Sequence, residues 1–430
     1  MLDRRKFLKK TATAGATAFI VPALACGDST RTNLDRNIAK GNVPLSNLEN
    51  EITGRVKKTI SNPVVIDKIE VVKTKSRVFI RVTDKEGEYG VTRVNDKRLF
   101  STFTMFKKLI APFFLGKDAR DIAHYPSELL RIDRNYKYVG LPFWNSVGII
   151  EVAIWDLLGK KANKPVYQFL GEKVRDNYPV YISSLDRENP IENETDLIKQ
   201  TAEATGATAT KIKIGGRMKN IEPYITRTNQ FVPYVRKTMG DDFTIYVDGN
   251  SSYTAEEAIE VLKMLESYDV KFFEEPCYWQ DLWSHKLVKE SATTCAIAGG
   301  EQDSSVDQFR LMCEIKAMDI LQPDVFYVGG MIRALKVSYI AKEYGIGFTP
   351  HSPKAGPMAA APNQLFAVCP VLTGHQEYRV MGHEKQKDWH TPVVPVNGKL
   401  PIFEKPGLGI EYNEKIWKKE EIIWNSKEEI

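Results

Sequence analysis

Three stretches of the sequence decide the fold: TIYVDGN at residues 244–250, VKFFEEP at 270–276 and AIAGGE at 296–301. Each is a short apolar run of the kind found in buried parallel strands, and each carries a carboxylate near its end. From residue 178 to about residue 380, such runs alternate with helix-like segments. This alternation predicts parallel strands joined by right-handed helical crossovers.

The polar residues at the predicted strand ends distinguish a closed barrel from an open sheet. A barrel gathers the C-terminal ends of all its strands around one mouth, whereas an open sheet would spread them along a line. The strand ends are separated by 35, 26, 27, 23, 27 and 26 residues, and they carry Lys213, Asp248, Glu274, Glu301, Asp324, His351 and Glu377. We therefore predict an α/β fold of the (β/α)8 TIM-barrel type over residues 178–395.

A small α+β domain is predicted ahead of the barrel, over residues 63–177. Short strand-like runs come first, and helical patterns follow at residues 103–114 and 146–161. The C-terminal segment, residues 396–430, is expected to pack on this small domain. Residues 27–62 are polar and lack a clear hydrophobic period, so they are predicted to form a linker.

The first 26 residues resemble a twin-arginine export signal. Arg4 and Arg5 precede Phe7-Leu8, and a mild apolar stretch at residues 11–25 is too short and too rich in Ala and Thr to span a bilayer stably. Cys26 follows this stretch and is a candidate for lipid attachment. We therefore expect export to the periplasm, either free or as a membrane-anchored lipoprotein; a basic N-terminal helix is the alternative.

Composition excludes some partners. The net charge of +5 comes from charges of both signs spread over 430 residues, and no basic block is interleaved with aromatic residues, so nucleic acid is not expected. The cysteines beyond Cys26 show no spacing typical of a disulfide framework or of a zinc site. They are expected to pack as small apolar groups.

Asp248, Glu274 and Glu301 end three consecutive predicted strands. Three anionic side chains at one mouth would repel one another strongly unless a cation lay between them. Oxygen-only ligands on neighbouring rigid strands suit Mg²⁺, and the absence of His and Cys from the set argues against zinc. The alternative for any one of these residues is a solvated loop position.

Two further pairs of residues are candidates for acid–base chemistry. Lys211 and Lys213 alternate with Ile212, so both lie on one face of a strand. Two ammonium groups so close favour the neutral form of one of them, which could then act as a base. Asp324 and His351 end adjacent strands, where the carboxylate could fix the tautomer of the imidazole.

Lys213 and His351 are expected on opposite sides of the metal. A small carboxylic acid bound to Mg²⁺ would present its α-carbon between them, and the metal would stabilise the charge of the resulting enediolate. These residues therefore indicate an enzyme that removes the proton α to a carboxylate.

The motifs together resemble the mandelate racemase subgroup of the enolase superfamily, whose use of a Lys or His base with Mg²⁺ is a standard example. The resemblance covers roughly residues 64–380 and includes EVAIWDLLGK at 151–160. It rests on Lys-x-Lys (211–213), Asp-x-Asn (248–250), Glu-Glu-Pro (274–276), Gly-Gly-Glu (299–301) and the Asp324/His351 pair. It implies a modified (β/α)7β barrel covered by an N-terminal α+β capping domain.

The resemblance also implies a role for each site residue. Asp248, Glu274 and Glu301 would hold one Mg²⁺ per subunit. Lys213 would be one base and His351 the second base or acid, with Asp324 orienting His351. Lys211 would modulate the pKa of Lys213 and contact the substrate carboxylate, and Glu377, protonated, would hydrogen-bond that carboxylate. Asn250 and Arg93 are further candidates for contacting the substrate, which the resemblance itself does not assign. A homo-oligomer is expected.

Two departures from the family pattern affect the capping domain. Tyr89-Gly90-Val91-Thr92 stands where Gly-x-Gly-Glu is common, and the stretch at residues 73–77 between the first two strands is very short. Because capping loops close over the substrate, the substrate cannot be carried over from a relative. Arg93, Lys97, Arg98 and Arg217 are candidates for contacting an anionic substrate, and a solvated surface is the alternative for each.

Three functions remain open. The first is a dehydratase that converts a sugar acid into a 2-keto-3-deoxy acid, with His351 helping the β-hydroxyl to leave. The second is a racemase, epimerase or cycloisomerase that uses the same two bases. The third is a non-catalytic exported binding protein, and the filled set of catalytic positions argues against it.

Overall fold

Strands and helices alternate along most of the chain in the computed structural model, which describes residues 45–75, 77–384 and 390–428. The strands are β1 Ile66–Thr74, β2 Arg77–Asp84, β3 Tyr89–Arg93, β4 Asn177–Ser183, β5 Ala209–Lys213, β6 Thr244–Asp248, β7 Val270–Glu274, β8 Ala296–Gly299, β9 Ile320–Leu321, β10 Gly347–Phe348, β11 Gln376–Arg379, β12 Lys399–Pro401 and β13 Glu420–Asn425.

Half of the α-helices of the described chain follow strands of the large sheet. In chain order, the α-helices are α1 Leu45–Thr59, α2 Asp96–Ser101, α3 Phe103–Met105, α4 Ala111–Phe114, α5 Tyr125–Arg131, α6 Leu141–Lys161, α7 Tyr167–Leu170, α8 Ile191–Thr205, α9 Tyr224–Met239, α10 Ala255–Ser267, α11 Leu282–Ser291, α12 Val306–Glu314, α13 Met331–Tyr344 and α14 Ala360–Phe366. A π-helix, Phe106–Ile110, joins α3 to α4, and a 3-10 helix, Gly356–Ala359, precedes α14.

The large sheet is the predicted barrel. Its eight parallel strands run in the order β10-β9-β8-β7-β6-β5-β4-β11, and β11 pairs with β4. Each of β4 to β10 is followed by a helix, α8 to α14, whereas β11 is followed by β12. Between β10 and β11, the Thr373 N–H donates to Phe348 O at 2.9 Å, and Thr373 O accepts from Thr349 Oγ1 at 2.8 Å. This arrangement confirms the (β/α)7β prediction.

A small apolar cluster fills the barrel interior below its mouth. It comprises Tyr181, Ala209, Tyr246, Phe272, Ala298 and Ile320. Tyr246 and Phe272 stack with ring centroids 4.0 Å apart. Because successive side chains of a strand point to opposite faces, Asp248 and Glu274, two positions further on, enter the same interior one layer higher. The apolar cluster therefore packs directly beneath the charged side chains in the barrel interior.

The capping domain is built on an antiparallel sheet of order β13-β1-β2-β3. Strand β3 lies directly on α6. The approach is so close that a Cβ at Gly90 would be 2.1 Å from Ala153 O and 2.2 Å from Leu157 N. Helix α6 is long and apolar enough to cross a membrane, but 89% of its apolar window is buried inside the protein. It is therefore the central core helix of this domain.

The variant Gly90→Ala should lose about 3 kcal/mol or more of stability, because the added methyl would overlap backbone atoms that cannot move aside. Thermal unfolding followed by circular dichroism measures the change. Gly54→Ala is the matched control: Gly54 lies in α1 with nothing within 4 Å of its Cβ position. It should gain about 0.5–1 kcal/mol. Equal melting temperatures for the two variants would contradict the packing described.

Two carboxylates of α6 join the capping domain to the rest of the chain. Glu151 accepts from the Met331 N–H at 3.0 Å and the Ile332 N–H at 3.2 Å, at the start of α13. Asp156 accepts from Val91 N and Leu408 N, both at 2.9 Å. The sequence motif at residues 151–160 is thus explained by these contacts.

The C-terminal segment predicted at residues 396–430 touches both parts of the fold. β12 pairs with β4 of the barrel, and β13 completes the capping sheet by pairing with β1. The polar linker predicted at residues 27–62 is wrong for its second half, which forms α1. Leu48, Ile52 and Val56 of this helix are buried, and their spacing of four residues was visible in the sequence. Residues 1–44, including Cys26, lie outside the described chain.

Candidate active site

The three predicted metal ligands meet at the barrel mouth. Asp248 and Glu274 are register partners at the ends of β6 and β7. Glu301 follows Gly300, whose φ of +105° turns the chain inward, and a Cβ there would lie 2.7 Å from the Phe309 ring. One carboxylate oxygen from each of the three lies within 4.8 Å of the others, and all three residues are buried.

The donor set fits a divalent cation such as Mg²⁺. All three ligands are carboxylates on rigid strands. Burial raises the pKa of Glu274, and the charges of Asp248 and Glu301 raise it further. Glu274 Oε1 is buried without a hydrogen-bond partner. A cation between these oxygens would reduce the repulsion among the three carboxylates and would give Glu274 Oε1 a partner.

The two lysines of β5 bind different carboxylates. Lys213 Nζ donates to Asp248 Oδ2, whereas Lys211 Nζ lies 2.6 Å from Glu274 Oε2 and 3.1 Å from Glu377 Oε1. Burial lowers the pKa of Lys211, but the charges of Glu274 and Glu377 outweigh it, and the pKa is raised well above its ordinary value. Lys211 is therefore ion-paired with two carboxylates, and its role as a modulator of Lys213 stays a prediction.

His351 is held at the other end of the acidic trio. Its Nδ1 lies 2.9 Å from Asp324 Oδ2, and its Nε2 lies 3.1 Å from Glu301 Oε2. Burial lowers the pKa of His351, but Glu301 and the hydrogen bond to Asp324 raise it overall. Sequence reasoning overlooked Lys354, whose Nζ shares the same Asp324 oxygen at 2.6 Å.

Lys213 and His351 flank the trio from opposite ends. Lys213 contacts Asp248, the ligand on β6, and His351 contacts Glu301, the ligand after β8. Lys213 ends β5 and His351 follows β10, and the strands that carry the three ligands, β6, β7 and β8, lie between β5 and β10 in the sheet. An amine and an imidazole therefore face the space around the trio from two directions, as predicted.

Glu377 lies at the end of β11, beside Lys211. Its Oε1 accepts from Ser183 Oγ at 2.7 Å, and its Oε2 accepts from Ser352 N at 2.7 Å. Burial raises the pKa of Glu377, but the ammonium of Lys211 outweighs it and the pKa is lowered. The contact with Lys211 thus favours the carboxylate form of Glu377, and its protonation on binding a substrate carboxylate stays a prediction.

Asn250 and Arg93, two of the candidates for contacting the substrate, lie in different places. The Asn250 side chain donates to Asp248 Oδ2 at 3.1 Å and accepts from Arg187 at 2.9 Å. It therefore positions a metal ligand, and its φ of +41° is one that Asn tolerates well. Arg187 was missed because the loop after β4 carries no recognisable motif. Arg93 lines a cavity of about 670 Å³ that also reaches His351.

A (β/α)7β barrel with a buried carboxylate trio between an amine and an imidazole defines an enolase-type protein. Residues 194–416 match the family model described as enolase C-terminal domain-like, and residues 50–171 match the mandelate racemase / muconate lactonizing enzyme N-terminal domain. The chain therefore belongs to the mandelate racemase/muconate lactonizing enzyme family of the enolase superfamily.

Relatives include both dehydratases and a cycloisomerase. Arabinonate dehydratase of Saccharolobus solfataricus is 30% identical over 310 residues, 70% of this chain and 79% of that protein. D-galactarolactone cycloisomerase of Agrobacterium fabrum is 27% identical over 311 residues, 70% of this chain and 80% of that protein.

A solved structure supports the fold. The mandelate racemase/muconate lactonizing protein of Paracoccus denitrificans, complexed with magnesium, has a TM-score of 0.77 at 22% identity and covers 84% of this chain and 99% of its own. At this level of identity, the likeness concerns the fold alone.

Proposed function

We propose that the protein is a Mg²⁺-dependent dehydratase that converts a sugar acid into a 2-keto-3-deoxy acid. One observation carries the proposal: His351, hydrogen-bonded to Asp324 at 2.9 Å, and Lys213, bonded to Asp248, flank the acidic trio from opposite ends. One group can remove the α-proton while the other supplies a proton to a leaving hydroxyl. The relative named arabinonate dehydratase supports the same class.

The chain's own residues account for each step. A base, Lys213 or His351, takes the α-proton, and the electron pair of the broken C–H bond moves toward the carboxylate. The β C–O bond then breaks, His351 gives a proton to the departing hydroxide to form water, and the enol product tautomerises to the ketone. A bound Mg²⁺ would stabilise the negative charge that develops on the carboxylate.

Incubation with a panel of aldonic and aldaric acids and Mg²⁺ in D₂O tests this function. We expect at least one acid to yield a 2-keto-3-deoxy product, detected by mass spectrometry and by a carbonyl assay. Failure of every acid to lose water would reject the dehydratase.

A racemase, epimerase or cycloisomerase is the second candidate. It is favoured by the presence of two bases on opposite sides of one site and by the relative named D-galactarolactone cycloisomerase. The same D₂O panel separates the two, since racemisation would place deuterium at the α-carbon without loss of water.

We also propose export by the twin-arginine-type signal at residues 1–26, with Cys26 as the site of a lipid anchor. The Arg4-Arg5 pair and the apolar stretch after it support this proposal. Arg4→Lys/Arg5→Lys should leave the full-length chain in the cytoplasm, and Cys26→Ser should release it from the membrane fraction. The homo-oligomeric state stays a prediction, measured by light scattering.

A further inference from the structure

The cavity above His351 lies between the barrel mouth and the capping domain. Its volume of about 670 Å³ is in the range typical of small-ligand sites, roughly 300–1,000 Å³. On the barrel side it is lined by His351, Lys354 and Tyr327, and on the capping side by the ends of β2 and β3. A substrate whose α-carbon lies near His351 would therefore extend toward the capping sheet.

Three arginines line this cavity, and we call them the distal arginine group: Arg77, Arg93 and Arg379. Arg77 begins β2 and Arg93 ends β3, and because Phe79 pairs with Arg93 in this antiparallel pair, the two arginines lie at the same end of the sheet.

Arg379 reaches the cavity from the barrel. It lies two residues after Glu377 on β11, so both side chains leave the same face of the strand. Glu377 Oε1 lies 3.1 Å from Lys211 Nζ, and Arg379, two positions further along β11, lines the cavity. Arg379 makes no side-chain hydrogen bond or ion pair with any residue in the described ranges, and it is exposed.

The positive charges of Arg77 and Arg379 act on Arg93. Burial lowers the pKa of Arg93, and the nearby charges of Arg77 and Arg379 lower it further. Arg98 lies above the Tyr327 ring at 4.3 Å, so a further cation borders the same space. Asp96 is the one acidic residue among the described lining. Such a concentration of positive charge in a concave space attracts an anion strongly.

We infer that the distal arginine group binds a second anionic group of the substrate, at the end of the substrate's carbon chain opposite the reacting carboxylate. The inference rests on the proposed function and narrows its substrate to bis-anionic sugar acids. A terminal carboxylate, as in a sugar diacid, and a terminal phosphate share the required chemistry. The planar guanidinium can bind either of them through two parallel hydrogen bonds.

The first test compares substrates on the unmodified protein. Aldonic, aldaric and terminally phosphorylated aldonic acids of the same carbon configuration are incubated with Mg²⁺, and the rates of water loss and of α-deuterium exchange are measured. We expect kcat/KM for one of the two bis-anionic classes to exceed that for the aldonic acid by about tenfold or more, the scale of one charge-assisted hydrogen bond. Which class is faster distinguishes carboxylate from phosphate.

The second test removes one guanidinium. Arg379→Gln should lower kcat/KM for the bis-anionic acid about tenfold, mainly by raising KM, and should leave the aldonic acid unaffected. Arg93→Gln/Arg379→Gln should lower it further. Arg310→Gln is the matched control, because Arg310 lies on α12 and faces Glu343 at 3.5 Å, outside the cavity. It should match the parent on every acid.

The outcomes separate the inference from the proposed function. Aldonic acids dehydrated as fast as both bis-anionic classes would overturn the inference and leave the dehydratase standing. Equal loss on all acids in Arg379→Gln would likewise overturn it, since that pattern indicates a structural role. Absence of reaction and exchange with every acid would overturn the proposed function and this inference with it.

Discussion

Glu274→Gln should abolish Mg²⁺ binding at working concentrations and lower kcat by about 1000-fold or more. The substitution replaces an anionic ligand with a neutral amide at the centre of the trio, between Asp248 and Glu301. It also removes the ion pair at 2.6 Å that holds Lys211. A metal that stabilises developing charge contributes several kcal/mol, and each 1.36 kcal/mol is a factor of ten in rate. Calorimetric titration with Mg²⁺ measures the first effect, and steady-state kinetics the second.

Glu275→Gln is the matched control for this variant. Glu275 is the next residue and equally buried, but it is not one of the three carboxylates that meet at the barrel mouth. Replacing it with an amide of the same shape should therefore change kcat by less than tenfold. If Glu274→Gln bound Mg²⁺ as tightly as the parent, the trio would not be the metal site.

The order of the site residues along the chain could be predicted because a barrel repeats a simple unit. Strand, loop and helix recur about every 26 residues, so a charged residue at each strand end indicates one shared mouth. Alternation along β5 similarly placed Lys211 and Lys213 on one face. These are local rules, and they held in the structure.

What the sequence left unpredicted depends on contacts between distant residues. The raised pKa of Lys211 and the lowered pKa of Glu377 depend partly on their contact at 3.1 Å, across 166 positions of sequence, which no local pattern reports. Arg77 and Arg93 of the capping sheet line one cavity with Arg379 of β11, although about 300 positions of sequence separate them from it. The linker prediction is wrong for helix α1 because the many polar residues of this helix obscure the spacing of its three buried apolar residues.

His351→Asn should lower the rate of water loss about 10²- to 10⁴-fold, the usual contribution of a general acid or base, yet leave the fold intact. Asn fills part of the space of the imidazole, and Asp324 keeps Lys354 as its ion-pair partner at 2.6 Å. If Lys213 is the base that removes the α-proton, His351→Asn will still exchange that proton with D₂O while water loss stops. Lys213→Gln would then lose both reactions.

Lys354→Met separates the two cations that share Asp324. Lys354 lines the same cavity as His351, so it is the competing candidate for the acid that protonates the leaving hydroxyl. If His351 is that acid, Lys354→Met should slow water loss by about tenfold or less, whereas His351→Asn slows it far more. The reverse order would assign the acid to Lys354. If the two groups instead act on opposite faces of the α-carbon, as in a two-base racemase, each of Lys213→Gln and His351→Asn should lose inversion but keep α-proton exchange for one configuration at that carbon.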